Sequence, residues 1–199
     1  MTNPSERDRA TMDDKLETRT GLPDALRILL ADHPRDAWER DPGFHGLVSF
    51  WLDRHLAFRR LISLMQGETR GFLDRKAEAK VFASRLSRYG GHFVQDLHGH
   101  HIIEDQHYFP VLAAKEPKVA RGFEILDRDH HALDVHVETF IKGANAVLNG
   151  IDNPAMFHTR VGRFGQDLDR MEVFLNRHLV DEEDLIVPII LKHGERSLG

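Results

Sequence analysis

The chain contains no cysteine. That excludes disulfides, thiolate zinc sites, Cys-ligated iron–sulfur clusters and a cysteine nucleophile. Positive charge is in the minority: 27 Lys and Arg stand against 32 Asp and Glu, a formal net charge of −5. A nucleic-acid surface needs an excess of cations to neutralise phosphates, so no nucleic-acid partner is expected. No stretch approaches the ~18 apolar residues of a membrane span. The longest aliphatic run, Leu185 to Leu191, is interrupted by Pro188. The N-terminus, Met1 to Asp14, is polar and has no apolar stretch of the kind a secretory signal carries, which reads as a cytoplasmic protein without a membrane partner. Alternating β-branched runs are missing too, so strands are not expected. What the chain has in excess is histidine: 14, more than its 12 phenylalanines. At 199 residues it suffices for one domain with a sizeable core.

Three stretches are expected. Residues 1–20 read as a disordered tail, charged and without apolar periodicity. Residues 21–40 read as a short helical extension: an amphipathic helix after Pro23 carries Leu26, Leu29 and Leu30 and stops at His33-Pro34. Residues 41–199 read as an all-α, antiparallel, up-down-up-down four-helix bundle.

The first long helix starts near Asp41-Pro42 and carries Phe44, Val48, Trp51, His55, Phe58, Ile62 and Met65, stepping by four and three as one buried helix face does. The second carries Phe82, Leu86, Tyr89, Phe93, Leu97, His100, Glu104 and Val111, with a kink expected at Gly90-Gly91. The third starts near Pro117, carries Phe123, Leu126, His130, Leu133, Val137, Phe140 and Ala144, and ends by Gly150. The fourth starts at Asn153-Pro154 and carries Phe157, Val161, Phe164, Leu168, Met171, Leu175, His178, Glu182, Leu185 and Ile189. Every stripe is broken by a histidine and two are broken by a glutamate as well. A buried ionised carboxylate without a partner is expensive, so these interruptions call for an explanation.

The interruptions repeat. His100 is followed by Glu104 and Pro110, and His178 by Glu182 and Pro188, at the same spacings. Aligning His55 with His130, 75 residues on, also aligns Phe58 with Leu133 and Ile62 with Val137. In an up-down bundle, residues at equal height lie equally far from the turn between their helices. The midpoints fall at Pro117 for Glu104 and His130, and at Pro154 for His130 and His178. For His55 and His100 the midpoint is near residue 77, which requires the first helix to run past Gly67 or the loop to be long. The four histidines therefore share one layer. His and Glu at i and i+4 lie on one helix face and can serve one metal or two adjacent metals. Imidazole with carboxylate suits iron, zinc or manganese, and four His with two Glu suit two ions better than one. If both carboxylates bridge two six-coordinate ions that also share one oxo bridge, four oxygens, four nitrogens and the bridge counted twice fill about ten of twelve positions, leaving about one open position on each for O2, peroxide or NO.

These residues resemble the hemerythrin-like (HHE cation-binding) family, in its bacterial form with one histidine per helix. The matching pieces are Asp53-Arg54-His55, His100 to Glu104, Asp129-His130-His131, and His178 to Glu182, with both Glu-plus-Pro trailers, over roughly residues 40–192. The resemblance implies a four-helix bundle around a non-haem di-iron centre, oxo- or hydroxo-bridged. Its implied ligands are His55, His100, Glu104, His130, His178 and Glu182, the two glutamates bridging. Oxygen-carrying members have a second histidine in the third helix, where this chain has Asp134, a further ligand or a neighbour of the site; reversible oxygen carriage is in doubt for that reason. The function implied is binding or turnover of a small oxidant (O2, hydrogen peroxide or NO). The alternative is an iron or oxygen sensor, or a metal-binding module without turnover.

Other residues read more plainly. His101 and His131 adjoin ligands but point about 100° around the helix, to a supporting or surface role. His107 makes Glu-x-x-His with Glu104, the ferritin-like signature, but no second copy accompanies it. His33, His45, His92, His98, His136, His158 and His193 read as surface or cap residues, and Tyr108 as packing. Asp181, Glu183 and Asp184 read as a solvated face, and Phe58, Leu97, Leu133 and Leu175 as the apolar neighbours that limit water access.

Overall fold

The computed structural model describes residues 14–198. Four long helices pack as a bundle behind short N-terminal 3-10 turns. They are α1 (Leu47–Leu73), α2 (Ala79–Ile103), α4 (Ala120–Leu148) and α5 (Pro154–His193). After α2 the chain makes a π-helical turn over Glu104–Tyr108, then the short α3 (Phe109–Lys115). Among the described residues no helix is long and apolar enough to cross a membrane.

The turns fall where the spacing argument places them. Helix α1 passes Gly67 and ends at Leu73, so its loop to α2 surrounds residue 77. The α3–α4 turn is a 3-10 helix over Pro117–Val119, and α5 begins at Pro154 with the Asn153 side chain accepting the Met156 N–H at 3.3 Å. Helix α5 stops at Gly194, whose φ of +77° suits glycine, and its N–H bonds the Ile190 carbonyl at 2.8 Å.

Four expectations change in detail. The extension is not an amphipathic α-helix but three 3-10 turns, Asp24–Leu26, Ile28–Ala31 and Arg35–Arg40. Pro34 cannot continue a helix, and the Trp38 indole N–H closes the bend by donating to the His33 carbonyl at 2.8 Å. Helix α1 starts at Leu47 rather than near residue 41. There the Asp41 carboxylate takes the Gly43 N–H at 2.7 Å, an Asx turn that competes with helix. Helix α2 runs unbroken through Gly90-Gly91, where a Cβ on Gly90 would lie 3.3 Å from the Phe140 ring: that glycine serves close packing. Of the expected tail, residues 1–13 lie outside the described residues, while Asp14, Leu16 and Arg19 are buried.

The chain forms two compact units, and each long helix contributes to both. The second unit, Leu56–His101 with Leu133–Leu175, has a phenylalanine-rich core in which Phe93 meets Phe140 edge-on at 5.5 Å. Phe58, Leu97, Leu133 and Leu175 are all buried there. The first unit holds the described part of 14–55, Ile102–Ala132 and 176–198. Its core brings Leu22, Leu26 and Trp38 of the extension together with Trp51, Phe109, Phe123 and Leu185. Residues 181–190 of α5 are buried on every side. A helix with Leu185-Ile186-Val187 and Ile189-Ile190 is apolar all round and needs cover all round, which the extension helps supply.

Candidate metal centre

The apolar stripes carry the histidines inward. His55 lies between Trp51 and Phe58 on α1, His130 between Leu126 and Leu133 on α4, and His178 between Leu175 and Leu185 on α5; all three are buried, as are Glu104 and Glu182. In each ring Nε2 faces a glutamate. His55 Nε2 lies 3.2 Å and His178 Nε2 3.6 Å from Glu182 Oε2, and His130 Nε2 lies 3.6 Å from Glu104 Oε2. In each ring Nδ1 faces a different carboxylate: Glu183 at 3.0 Å from His55, Asp105 at 2.8 Å from His130 and Asp129 at 3.5 Å from His178. An outer carboxylate on Nδ1 leaves Nε2 as the lone-pair donor, which is how metal-binding histidines are held.

The electrostatics favour a cation. Burial first, then the adjacent charge of Glu182 and a hydrogen bond to it, push the Glu104 pKa well above the ordinary carboxylate range. At His55 burial opposes the charged form, but hydrogen bonds to Glu182 and Glu183 outweigh it and the pKa is raised. Asp129 goes the other way: burial opposes its ionisation, yet Arg19 and His178 hold its pKa below normal. Glu104 and His55 thus both hold a proton more tightly than usual, and a metal ion would compete with those protons for the same atoms.

The donors form two groups. Donor atoms of His55, His100, Glu104 and Glu182 all lie within 4.8 Å of one another, and so do those of His101, His130 and His178. Glu182 Oε2 touches a histidine of each group.

The structure departs from the sequence reading at three places. His101 is buried and falls within a donor group, whereas the sequence suggested a supporting or surface role. The His100-His101 tandem just before Glu104 was the available signal. Asp134 is exposed and in neither group, because α4 turns Leu133 inward and leaves Asp134 on its flank. Asp181, Glu183 and Asp184 are not a solvated face but are all buried. Arg19 and the Leu22 N–H bond Asp181, and Arg35 bonds Glu183 and Asp184. Of the arginines that match these four carboxylates in a row, Arg177 bonds Asp181 from one turn before, whereas Arg19 and Arg35 lie some 150 residues earlier and left no local sign of burial. His107 and His131 are exposed, and Tyr108 packs edge-on against Trp51 at 4.9 Å.

The bundle thus gathers buried imidazoles and carboxylates in groups that could hold metal ions. Residues 46–190 match the hemerythrin HHE cation binding domain, and the chain belongs to that family. No match was found among curated proteins or among solved structures.

Proposed function

We propose that the centre holds two iron ions and binds or turns over a small oxidant: O2, hydrogen peroxide or NO. The observation that carries this is the contact of Glu182 with His55 from one donor group and His178 from the other. A carboxylate so placed suits two adjacent ions. Five imidazoles and two carboxylates fit iron, and would also accept zinc or manganese. His55, His100, Glu104 and Glu182 would hold one ion, and His101, His130 and His178 the other, with the glutamates shared. His101 then supplies a fifth imidazole in place of the one missing at Asp134. Bound iron supplies Lewis acidity and a change of redox state. The protein's part is to hold the donors, exclude water through the buried apolar layer, and admit the ligand. A cleft of about 790 Å³ is lined by Asp105 and Phe109, which hydrogen-bonds and stacks on His130 respectively, and suits entry of a small molecule.

Metal analysis and an optical spectrum of protein purified in air test this. About two irons per chain with near-ultraviolet charge-transfer bands are expected, and peroxide, NO and O2 are then added to that sample. A well-folded protein that takes up no ferrous iron anaerobically overturns it. The sensor reading predicts iron that is bound but no turnover of any of the three.

A further inference from the structure

The outer carboxylates of the centre lead to a part of the chain that the family match does not include. Arg19 is buried and donates to both oxygens of Asp129, at 2.7 Å to Oδ1, and to Asp181 Oδ2 at 2.8 Å. Asp129 in turn accepts from His178 Nδ1 at 3.5 Å. Arg35 makes a looser version of this grip, with one bond to each of two carboxylates. Its Nη1 donates to Glu183 Oε2 at 2.9 Å and its Nε to Asp184 Oδ1 at 2.6 Å, while Glu183 Oε1 lies 3.0 Å from His55 Nδ1. Two arginines of one short segment therefore each hold a carboxylate that holds an imidazole, one on α1 and one on α5.

A guanidinium fork fixes the plane of a carboxylate, and the carboxylate fixes the tautomer and tilt of the ring. Burying Arg19 among acids is costly unless its N–H groups are paired, so the segment seats fully only when those carboxylates are aligned to receive them. We propose that Arg19 and Arg35 are positioning residues of the metal centre and that residues 14–40 act as a clamp against metal loss. This rests on the metal-binding reading above. Linkage requires the converse: whatever the clamp adds to metal retention, the metal adds to the seating of the clamp.

Cobalt(II) alone is the probe, bound to the full chain and followed by its visible bands and its release to excess EDTA. Arg35→Gln removes a half-exposed fork, and Arg19→Lys keeps the buried charge but loses the fork; Lys142→Gln, in a distant exposed pair, is the control. Both arginine variants are expected to bind wild-type amounts of cobalt, release it about tenfold or more faster, and shift the visible bands. Wild-type release rates and band positions in both would overturn the proposal. A second measurement needs no variant: cobalt should slow tryptic cleavage between residues 15 and 40 of the wild-type chain several-fold. Equal cleavage with and without bound cobalt would also overturn it. A folded wild-type chain that binds no cobalt removes the metal-binding reading, and the clamp with it, which separates that failure from a failure of the clamp alone.

Discussion

Glu104 shows what the centre costs the empty protein. Its carboxyl is buried beside Glu182, and its pKa is raised. A carboxylate whose folded pKa exceeds its unfolded one destabilises the fold once the pH rises above the unfolded value, because only the unfolded chain ionises freely. Glu104→Gln is therefore expected to abolish two-metal binding and yet stabilise the metal-free protein by ~1–2 kcal/mol at neutral pH. Thermal melts with and without EDTA check this; a metal-free melt lower than wild type would contradict it. The same signs set the pH dependence of loading. Glu104 and His55 both hold protons above their ordinary range, and both must release them to a metal. Metal affinity should fall as the pH is lowered from 8 to 6, and competition titrations at the two pH values measure it. The alternation of apolar residues with His55, His130, His178 and Glu182 was legible without coordinates. The burial of Asp181, Glu183 and Asp184 was not, since Arg19 and Arg35 lie so far away in sequence and Arg177, one turn before Asp181, looks like an ordinary i,i+4 surface pair.

At the scale of elements, α2 and α5 carry the same His, Glu and Pro spacing and fold differently. Proline lacks an N–H and crowds the carbonyl four residues before it. After Glu104 the chain answers with a π turn, the Phe109 N–H bonding the Glu104 carbonyl, while Pro188 sits within α5. The extra residue of a π turn rotates everything beyond it. Val111, expected in the buried stripe, is half-buried, and Phe109 and Leu112 are buried instead. Deleting the exposed Gln106 should turn the π turn into an α turn that leaves Phe109 and Leu112 facing inward, and so cost under ~1 kcal/mol. Denaturant unfolding measures it, and a midpoint lowered as for a lost core contact would show that the extra residue itself is needed. Helix packing has a similar tight point. A Cβ at Gly122 would lie 2.7 Å from Leu185 Cδ2, so Gly122→Ala should cost ~1–3 kcal/mol, less if Leu185 changes rotamer.

For the whole molecule, the two units differ in what holds them. The second has an aromatic core and carries none of the buried acids, contributing only His100 and His101 to the donor groups. The first carries Glu104, Asp129, Asp181, Glu182, Glu183 and Asp184, like charges that need arginines or metal to stay together. Hydrogen exchange should therefore rise on chelation mainly in Ile102–Ala132 and residues 176–193, and much less in Leu56–His101 and Leu133–Leu175. A uniform rise would mean that the units open together.

Helical periodicity is a local property, so the sequence alone determined four helices, their turns near residues 77, 117 and 154, and the inward faces bearing His55, His130, His178 and Glu182. Which neighbour of a stripe is also buried depends on what the rest of the chain lays over it. Only the tertiary structure brings His101 beside His130 and His178, leaves Asp134 exposed, and closes Arg19 and Arg35 over the acids of α5. Those pairings join residues more than a hundred positions apart, and a charge carries no mark in the sequence of the partner that will neutralise it.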